Sequence, residues 1–225
     1  MQQVFASWSG GKDCCLACYR ATSNGLKVRY LANTVTEDGK RSCSHGLSAD
    51  VIRVQSQAIG IPLVQRRTTP DTYETEFKNM LRNFKLEAVE GGVFGDIDFN
   101  EHREWIERVC NDVEITPHLP LWGMSQDKIL REFINLGFEA VVIATKADLL
   151  GEEWLGKRID LNFIRDLEEL KEIKSITLCG EAGEYHTLVI DGPLFQKRVE
   201  IRDAQKVFRD EHWFYEILAT DLKAK

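Results

Sequence analysis

Five residues near the N-terminus, Ser9-Gly10-Gly11-Lys12-Asp13, follow directly on the apolar run Val4-Phe5-Ala6-Ser7-Trp8. A short buried strand that ends in two glycines and then opens a helix admits few architectures, because it makes a place for phosphate. Glycines let the backbone approach an anion closely, and the first N–H groups of the following helix lack intrahelical partners. Lys12 adds a point charge. Asp13, in the first helical turn, suits the helix dipole and can hold a Mg2+ that a polyphosphate brings with it. The alternative is a glycine-rich strand-to-helix turn with no ligand.

The loop is not a Walker A loop, which needs Gly, four residues, then Gly-Lys-Ser/Thr. Ala6 stands where the first glycine should be, and Asp13 follows the lysine. The spaced glycines of the dinucleotide fingerprint are absent too. What remains resembles the pyrophosphate-binding loop, or PP-loop, of ATP pyrophosphatases, which split ATP between its α and β phosphates.

Bulk properties narrow the classes further. At 225 residues the chain buries a full core as one large or two modest domains, and 43% hydrophobic with 29% charged residues is a globular balance. No apolar run approaches the ~20 residues of a membrane span. The N-terminus lacks a signal-peptide pattern, because the glycine loop interrupts it, so the expected location is cytoplasmic with no membrane partner. A net charge of −7 argues against broad nucleic-acid binding. The six cysteines are expected as free thiols. Cys14, Cys15 and Cys18 share the first helix, where adjacent side chains point about 100° apart and make poor joint metal ligands, so they read as small packing residues.

Along the first half, apolar runs alternate with helical patterns, which implies parallel βαβ units. Expected strands are Val4–Trp8, Val28–Val35, Ile61–Gln65, Gly92–Gly95 and a weaker one near Ile115. Helical spacing links Leu47, Val51, Val54 and Ala58, then Tyr73, Phe77, Leu81 and Phe84, then Ile106, Val109 and Cys110. After Trp122 the rhythm changes to a helix over Lys128–Leu136, a strand over Ala140–Ala144, a helix from Leu161 to Leu170, and short strands at Ile176–Cys179, Thr187–Ile190, Val199–Ile201 and Trp213–Leu218. These shifts predict two domains, 1–122 and 123–225.

A second informative segment runs Cys179-Gly180-Glu181-Ala182-Gly183-Glu184-Tyr185-His186-Thr187-Leu188-Val189-Ile190-Asp191-Gly192-Pro193-Leu194-Phe195. Asp191-Gly192 reads as a hairpin signal. Glu181 and Glu184, in a turn, can converge on a ligand as Mg2+ ligands, as an amine site or as a base. Equally, an acidic turn can satisfy its own backbone amides.

The two end motifs together resemble the diphthine–ammonia ligase family. The likeness continues between them: Ser44-His45, Gln57-Ala58, Gly60-Ile61-Pro62-Leu63, Gly92-Val93-Phe94-Gly95-Asp96-Ile97, then Arg103, Glu107, Val109-Cys110 and Pro120-Leu121-Trp122. The resemblance implies an α/β fold: a HUP-type (Rossmann-like) parallel sheet with helices on both faces, plus a smaller mixed α/β C-terminal domain. It also implies that ATP adenylates the carboxylate of diphthine, a modified histidine on the translocating elongation factor, and that ammonia then displaces AMP. Ser9, Gly10, Gly11 and Lys12 would cradle pyrophosphate, with Asp13 on Mg2+. Gly95 and Asp96 would line the nucleotide site at a strand end, Asn33 or Thr34 would approach adenine or ribose, and His45 would touch phosphate or adenylate. Glu181, Glu184 and Tyr185 would face the acyl acceptor, with Thr187 a weaker candidate.

Three departures accompany the resemblance. Cys14 replaces the usual Ser or Thr after Asp13, and Ala182 and His186 replace a glycine and a glutamate of the second motif. Similar chains in bacteria have no diphthine to amidate, so the acceptor is diphthine or a related acid. A homodimer is compatible with all of this. The competing readings are a tRNA-modifying PP-loop enzyme, disfavoured by the acidic charge and the absence of a spaced cysteine pair, and a nucleotide-binding sensor without turnover. Retention of the full Gly-Gly-Lys-Asp loop argues against the sensor.

Overall fold

The computed structural model describes the whole chain, Met1–Lys225. It divides into two compact units, the first comprising Met1–Ser9 and Asp13–Gly123 and the second Gly10–Lys12 and Met124–Lys225.

The first unit is built on strands β1 (Gln3–Ser7), β2 (Lys27–Val35), β3 (Leu63–Arg67), β4 (Gly91–Val93) and β5 (Thr116–His118), in the order β3-β2-β1-β4-β5. Every pairing is parallel. Such strands are buried on both faces and therefore read as continuous apolar runs rather than alternating ones. The helices between them are α1 (Lys12–Ser23), α2 (Ala49–Ile59), α3 (Tyr73–Leu86) and α4 (Asn100–Asp112). Phe5 turns to the face covered by α3 and α4, where it packs with Phe77, Met80, Leu81, Phe84, Ile106 and Val109. Its ring stacks on Phe84 at 5.3 Å and meets Phe94 edge-on at 5.7 Å. Trp8, in the opposite phase, donates its indole N–H to Gln55 of α2 at 2.7 Å. Helices therefore lie on both faces of a doubly wound sheet. The strand order reverses between β1 and β4, whose carboxyl ends flank the crevice where such sheets take ligands.

Sequence dictates several element ends. Ser48 caps α2 by accepting the Asp50 N–H at 3.3 Å, and Gly60, at φ 80°, closes it in the left-handed conformation. β4 is shorter than expected: it ends at Val93, and the next residue, Phe94, bonds through its N–H to the His118 carbonyl at 2.9 Å. All of Cys14-Cys15-Leu16-Ala17-Cys18 is buried, which leaves α1 no exposed face across that turn and gives the three thiols a packing role.

The second unit contains α5 (Gln126–Asn135), β6 (Glu139–Lys146), a 3-10 turn (Glu152–Trp154), α6 (Leu161–Lys171), β7 (Tyr185–Asp191), β8 (Lys197–Arg209) and β9 (His212–Ala224). Its sheet is antiparallel, in the order β7-β6-β9-β8. Three expectations are corrected. Ile176–Cys179 is not a strand but part of an irregular turn. The short runs near Val199 and Trp213 are segments of two 13-residue strands. Asp191-Gly192 is not a hairpin turn, because β7 pairs with β6 rather than β8. The true hairpin turn is Asp210-Glu211, with φ of 48° and 59°, the geometry of a type I′ turn. Apolar cross-strand pairs such as Val199–Leu222, Ala204–Ile217 and Val207–Phe214 alternate along β8–β9 with charged pairs such as Arg202–Asp221 and Arg209–Glu216, both at 2.7 Å. No helix is long and apolar enough to cross a membrane.

Candidate active site

The segment Ser9–Asp13 leaves β1 and enters α1. Gly10 has φ 83°, a left-handed conformation that a side chain would strain. Gly95 follows β4, and a Cβ there would lie 2.8 Å from the Asp13 carbonyl carbon and the Cys14 nitrogen. The glycine therefore lets backbone pass directly against the first turn of α1. Asp13 sits in that turn, where the dipole favours an acid. The Ser9 hydroxyl lies 3.5 Å from the Cys14 sulfur and donates to it. Burial raises the Cys14 thiol, but hydrogen bonds from Cys15 and Ser9 outweigh it and leave the pKa below the ordinary thiol value. Burial pushes Cys15 well up and Cys18 up to about 12, so both stay protonated.

Gly10–Lys12 are held within the second unit. The Val189 N–H donates to the Gly10 carbonyl at 2.9 Å, and the Lys12 N–H donates to the Thr187 hydroxyl at 3.1 Å. Thr187 thus serves one of the first amides of α1. Lys12 is 3% exposed. Its ammonium donates to the Cys179 carbonyl and lies 5.0 Å from the centre of the Tyr185 ring. A buried ammonium needs such partners, since desolvation costs several kcal/mol unless oxygen or π density replaces water.

The turn that supplies this seat is bonded to itself. The Glu184 carboxylate is fully buried and accepts the N–H groups of Thr177 and of Ala182, the latter at 2.9 Å. The Thr177 hydroxyl accepts the Glu181 N–H at 2.8 Å, and the Tyr185 phenol donates to the Leu178 carbonyl at 2.6 Å. Glu184 and Tyr185, expected to face an acyl acceptor, turn their polar atoms into the turn instead. Phe163 of α6 packs edge-on against Tyr185 at 5.3 Å. Glu181 is partly exposed. His186, next on β7, is held neutral: burial and then the Lys12 charge depress its pKa to about 4.

The remaining expected residues lie in the first unit. Asn33, 1% exposed, donates to the Trp8 carbonyl at 2.8 Å and the Ser42 hydroxyl at 2.9 Å, and accepts from Gln65 at 3.2 Å. Its amide ties together the carboxyl ends of β1, β2 and β3, so its polar atoms serve the sheet. Thr34 is buried at the same edge. His45 is half-buried in the turn after β2. Asp96, beyond β4, stands 3.3 Å from His102 Nδ1. Sequence reasoning missed Gln126, Thr177, Ser42 and Gln55. Each is a polar residue whose partner is distant in sequence or reached across an irregular turn, and no spacing reveals that.

A parallel sheet in this order, whose first strand runs into Gly-Gly-Lys-Asp at a helix start, defines a Rossmann-like α/β protein with a phosphate-type loop at its carboxyl edge. The family descriptions "Diphthamide synthase N-terminal domain" and "Diphthamide synthase C-terminal domain" match residues 2–117 and 125–222, and the chain belongs to that diphthamide synthase family. It is 28% identical over 234 residues to the diphthine–ammonia ligase of Rattus norvegicus, covering 94% of this chain and 87% of the relative. Identity to the Schizosaccharomyces pombe diphthine–ammonia ligase is 30% over 245 residues, covering 99% of this chain and 39% of that longer protein. A solved chain from Methanocaldococcus jannaschii, described as a predicted subunit of tRNA methyltransferase, overlays with a TM-score of 0.45 at 14% identity, over 86% of this chain and 98% of that one. That overlap is too low to carry an argument.

Proposed function

We propose that the chain is an ATP-dependent amide-forming ligase that adenylates the carboxylate of diphthine or a related acid and transfers ammonia to it, releasing AMP and pyrophosphate. The family, and relatives named diphthine–ammonia ligase at 26% to 30% identity, support the activity. The observation that supports the residue assignment is the seating of Lys12 on the Cys179 carbonyl and beside the Tyr185 ring.

In this scheme a carboxylate oxygen of the acceptor attacks the α-phosphorus, and the bond to the β-phosphate oxygen breaks. Lys12, with the backbone of Gly10 and Gly11 and the Ser9 hydroxyl, neutralises and positions the departing pyrophosphate. Ammonia then attacks the acyl carbon of the mixed anhydride, loses a proton, and AMP leaves with the bridging oxygen. The chain gathers no cluster of three or more His, Cys, Asp or Glu fit to cage a metal. A Mg2+ carried by the polyphosphate needs only one or two carboxylates, and Asp13 supplies one. Its chemistry would be charge neutralisation on the phosphates.

Glu181 is assigned to the acceptor side, whereas Glu184 and Tyr185 act by holding the turn. Asp96, His45 and Thr34 are assigned to the nucleotide, with Asn33 and Gly95 shaping the edge that carries them. Residues 1–122 are assigned to ATP and 123–225 to the acceptor. An elongation factor carrying diphthine is the proposed protein partner and the cytoplasm the proposed compartment. No step requires a second copy of the chain. Incubation with ATP, ammonium and diphthine-bearing elongation factor tests the reading: AMP, pyrophosphate and an amidated product are expected, and ADP with phosphate contradicts it.

A further inference from the structure

Gln126 opens α5, and no motif points to it. Its side-chain oxygen accepts the Cys179 N–H at 2.9 Å, and its backbone carbonyl lies 3.5 Å from the Cys179 sulfur and accepts from that thiol. Cys179 is 1% exposed and is tied to α5 at both points. Its carbonyl is the one that receives the Lys12 ammonium. The next residue, Gly180, has φ 75°, and a Cβ there would lie 2.6 Å from the Tyr185 carbonyl oxygen. The backbone on that side of Cys179 is therefore pinned by close packing, and the amide side depends on Gln126.

We infer that Gln126 is a positioning residue for the Lys12 ammonium, acting through Cys179. The inference rests on the reading of Lys12 as the cation that holds the phosphates. A lysine on a flexible four-carbon stem delivers its charge to one place only if something fixes the far end. Here the Cys179 carbonyl and the Tyr185 ring do so, and Gln126 fixes the carbonyl. The Glu184 contacts brace the rest of the same turn, but none of them reaches the Cys179 N–H.

The test is calorimetric titration of the full chain with Mg-ATP and with inorganic pyrophosphate, for wild type, Gln126→Ala, Gln126→Glu, Lys12→Ala and the Gln126→Ala/Lys12→Ala double variant. Gln126→Ala is expected to weaken both affinities about tenfold, the loss of one buried hydrogen bond in the chain that orients the charge. Gln126→Glu keeps the acceptor oxygen and is expected to recover most of the loss. In the Lys12→Ala background Gln126→Ala should add nothing, because the two act through one path. Additive losses, or equal weakness of the Ala and Glu variants, overturn the inference while leaving the functional reading intact. Wild-type affinity in Gln126→Ala does the same. If Gln126→Ala does not fold, Gln126→Asn, whose shorter side chain withdraws the oxygen, takes its place in the same comparison. Wild type that binds neither ligand overturns the functional reading and this inference together.

Discussion

Two glycine-bearing segments, Ser9–Asp13 and Thr177–Tyr185, carry the two sequence motifs, and they spend their polar groups differently. In the first, Gly10 and Gly95 keep side chains away from the start of α1, and the charged residues stand at a helix N-terminus. In the second, the acidic and phenolic side chains are consumed locally: Glu184 on two amides, Tyr185 on a carbonyl, and the Thr177 hydroxyl on an amide. The comparison separates a loop kept open by glycines at a helix start, with Lys12 buried against the Cys179 carbonyl, from a turn whose side chains bond to its own backbone. Glu181 and Glu184 look equivalent in sequence, yet one is partly exposed and the other has no exposure at all.

The largest expected effect is on the first segment. Lys12→Ala should lower pyrophosphate release by about two to three orders of magnitude, or about 3–4 kcal/mol in the transition state, the scale of removing a preorganised electrostatic partner. Steady-state assay of AMP formation reads it, and an unchanged kcat would remove Lys12 from the chemistry. On the second segment, Glu184→Ala should cost about 2–4 kcal/mol of folding stability, because two amides lose a charged acceptor. Glu181→Ala should leave denaturant stability within about 0.5 kcal/mol while lowering amide formation. Equal stability loss in both variants would erase the distinction between the two glutamates.

His186 gives a smaller, pH-dependent effect. Its pKa is near 6.5 in the unfolded chain and about 4 in the folded one. Between those values the unfolded state binds more protons, so stability falls as the pH drops from about 6.5 to about 4. The expected loss is about 1–3 kcal/mol for this half-buried group, and it should vanish in His186→Gln. Urea titrations of both proteins at pH 7 and pH 4.5 provide the check, and a wild-type curve that tracks the variant at both pH values contradicts the placement. Smallest is Glu211→Gly: relieving a positive φ in the hairpin turn should stabilise the chain by about 0.5–1 kcal/mol, read as a rise in Tm.

Much of the first unit was legible because parallel strands buried on both faces announce themselves as apolar runs, and Val4-Phe5-Ala6 is fully buried in β1. The turn after β1 was legible because Gly10, at φ 83°, is a residue type that the left-handed conformation favours. The 13-residue strands β8 and β9 were not, since Glu200, Arg202, Asp203, Lys206 and Arg209 break up the apolar alternation along β8. The direction of Glu184 was equally hidden. Its two partners, Thr177 and Ala182, are backbone amides, and a backbone donor leaves no mark on sequence. Gln126 and Cys179 are 53 residues apart, and only the fold brings them together.

The central claim is that the loop after β1 grips the pyrophosphate of ATP while an acceptor carboxylate takes the adenylyl group. An acceptor labelled with 18O in that carboxylate, turned over with ATP and ammonium, tests it in one step. One labelled oxygen in the released AMP is the predicted result. Label in inorganic phosphate, with ADP as the nucleotide product, would mean phosphoryl rather than adenylyl transfer and would contradict the account.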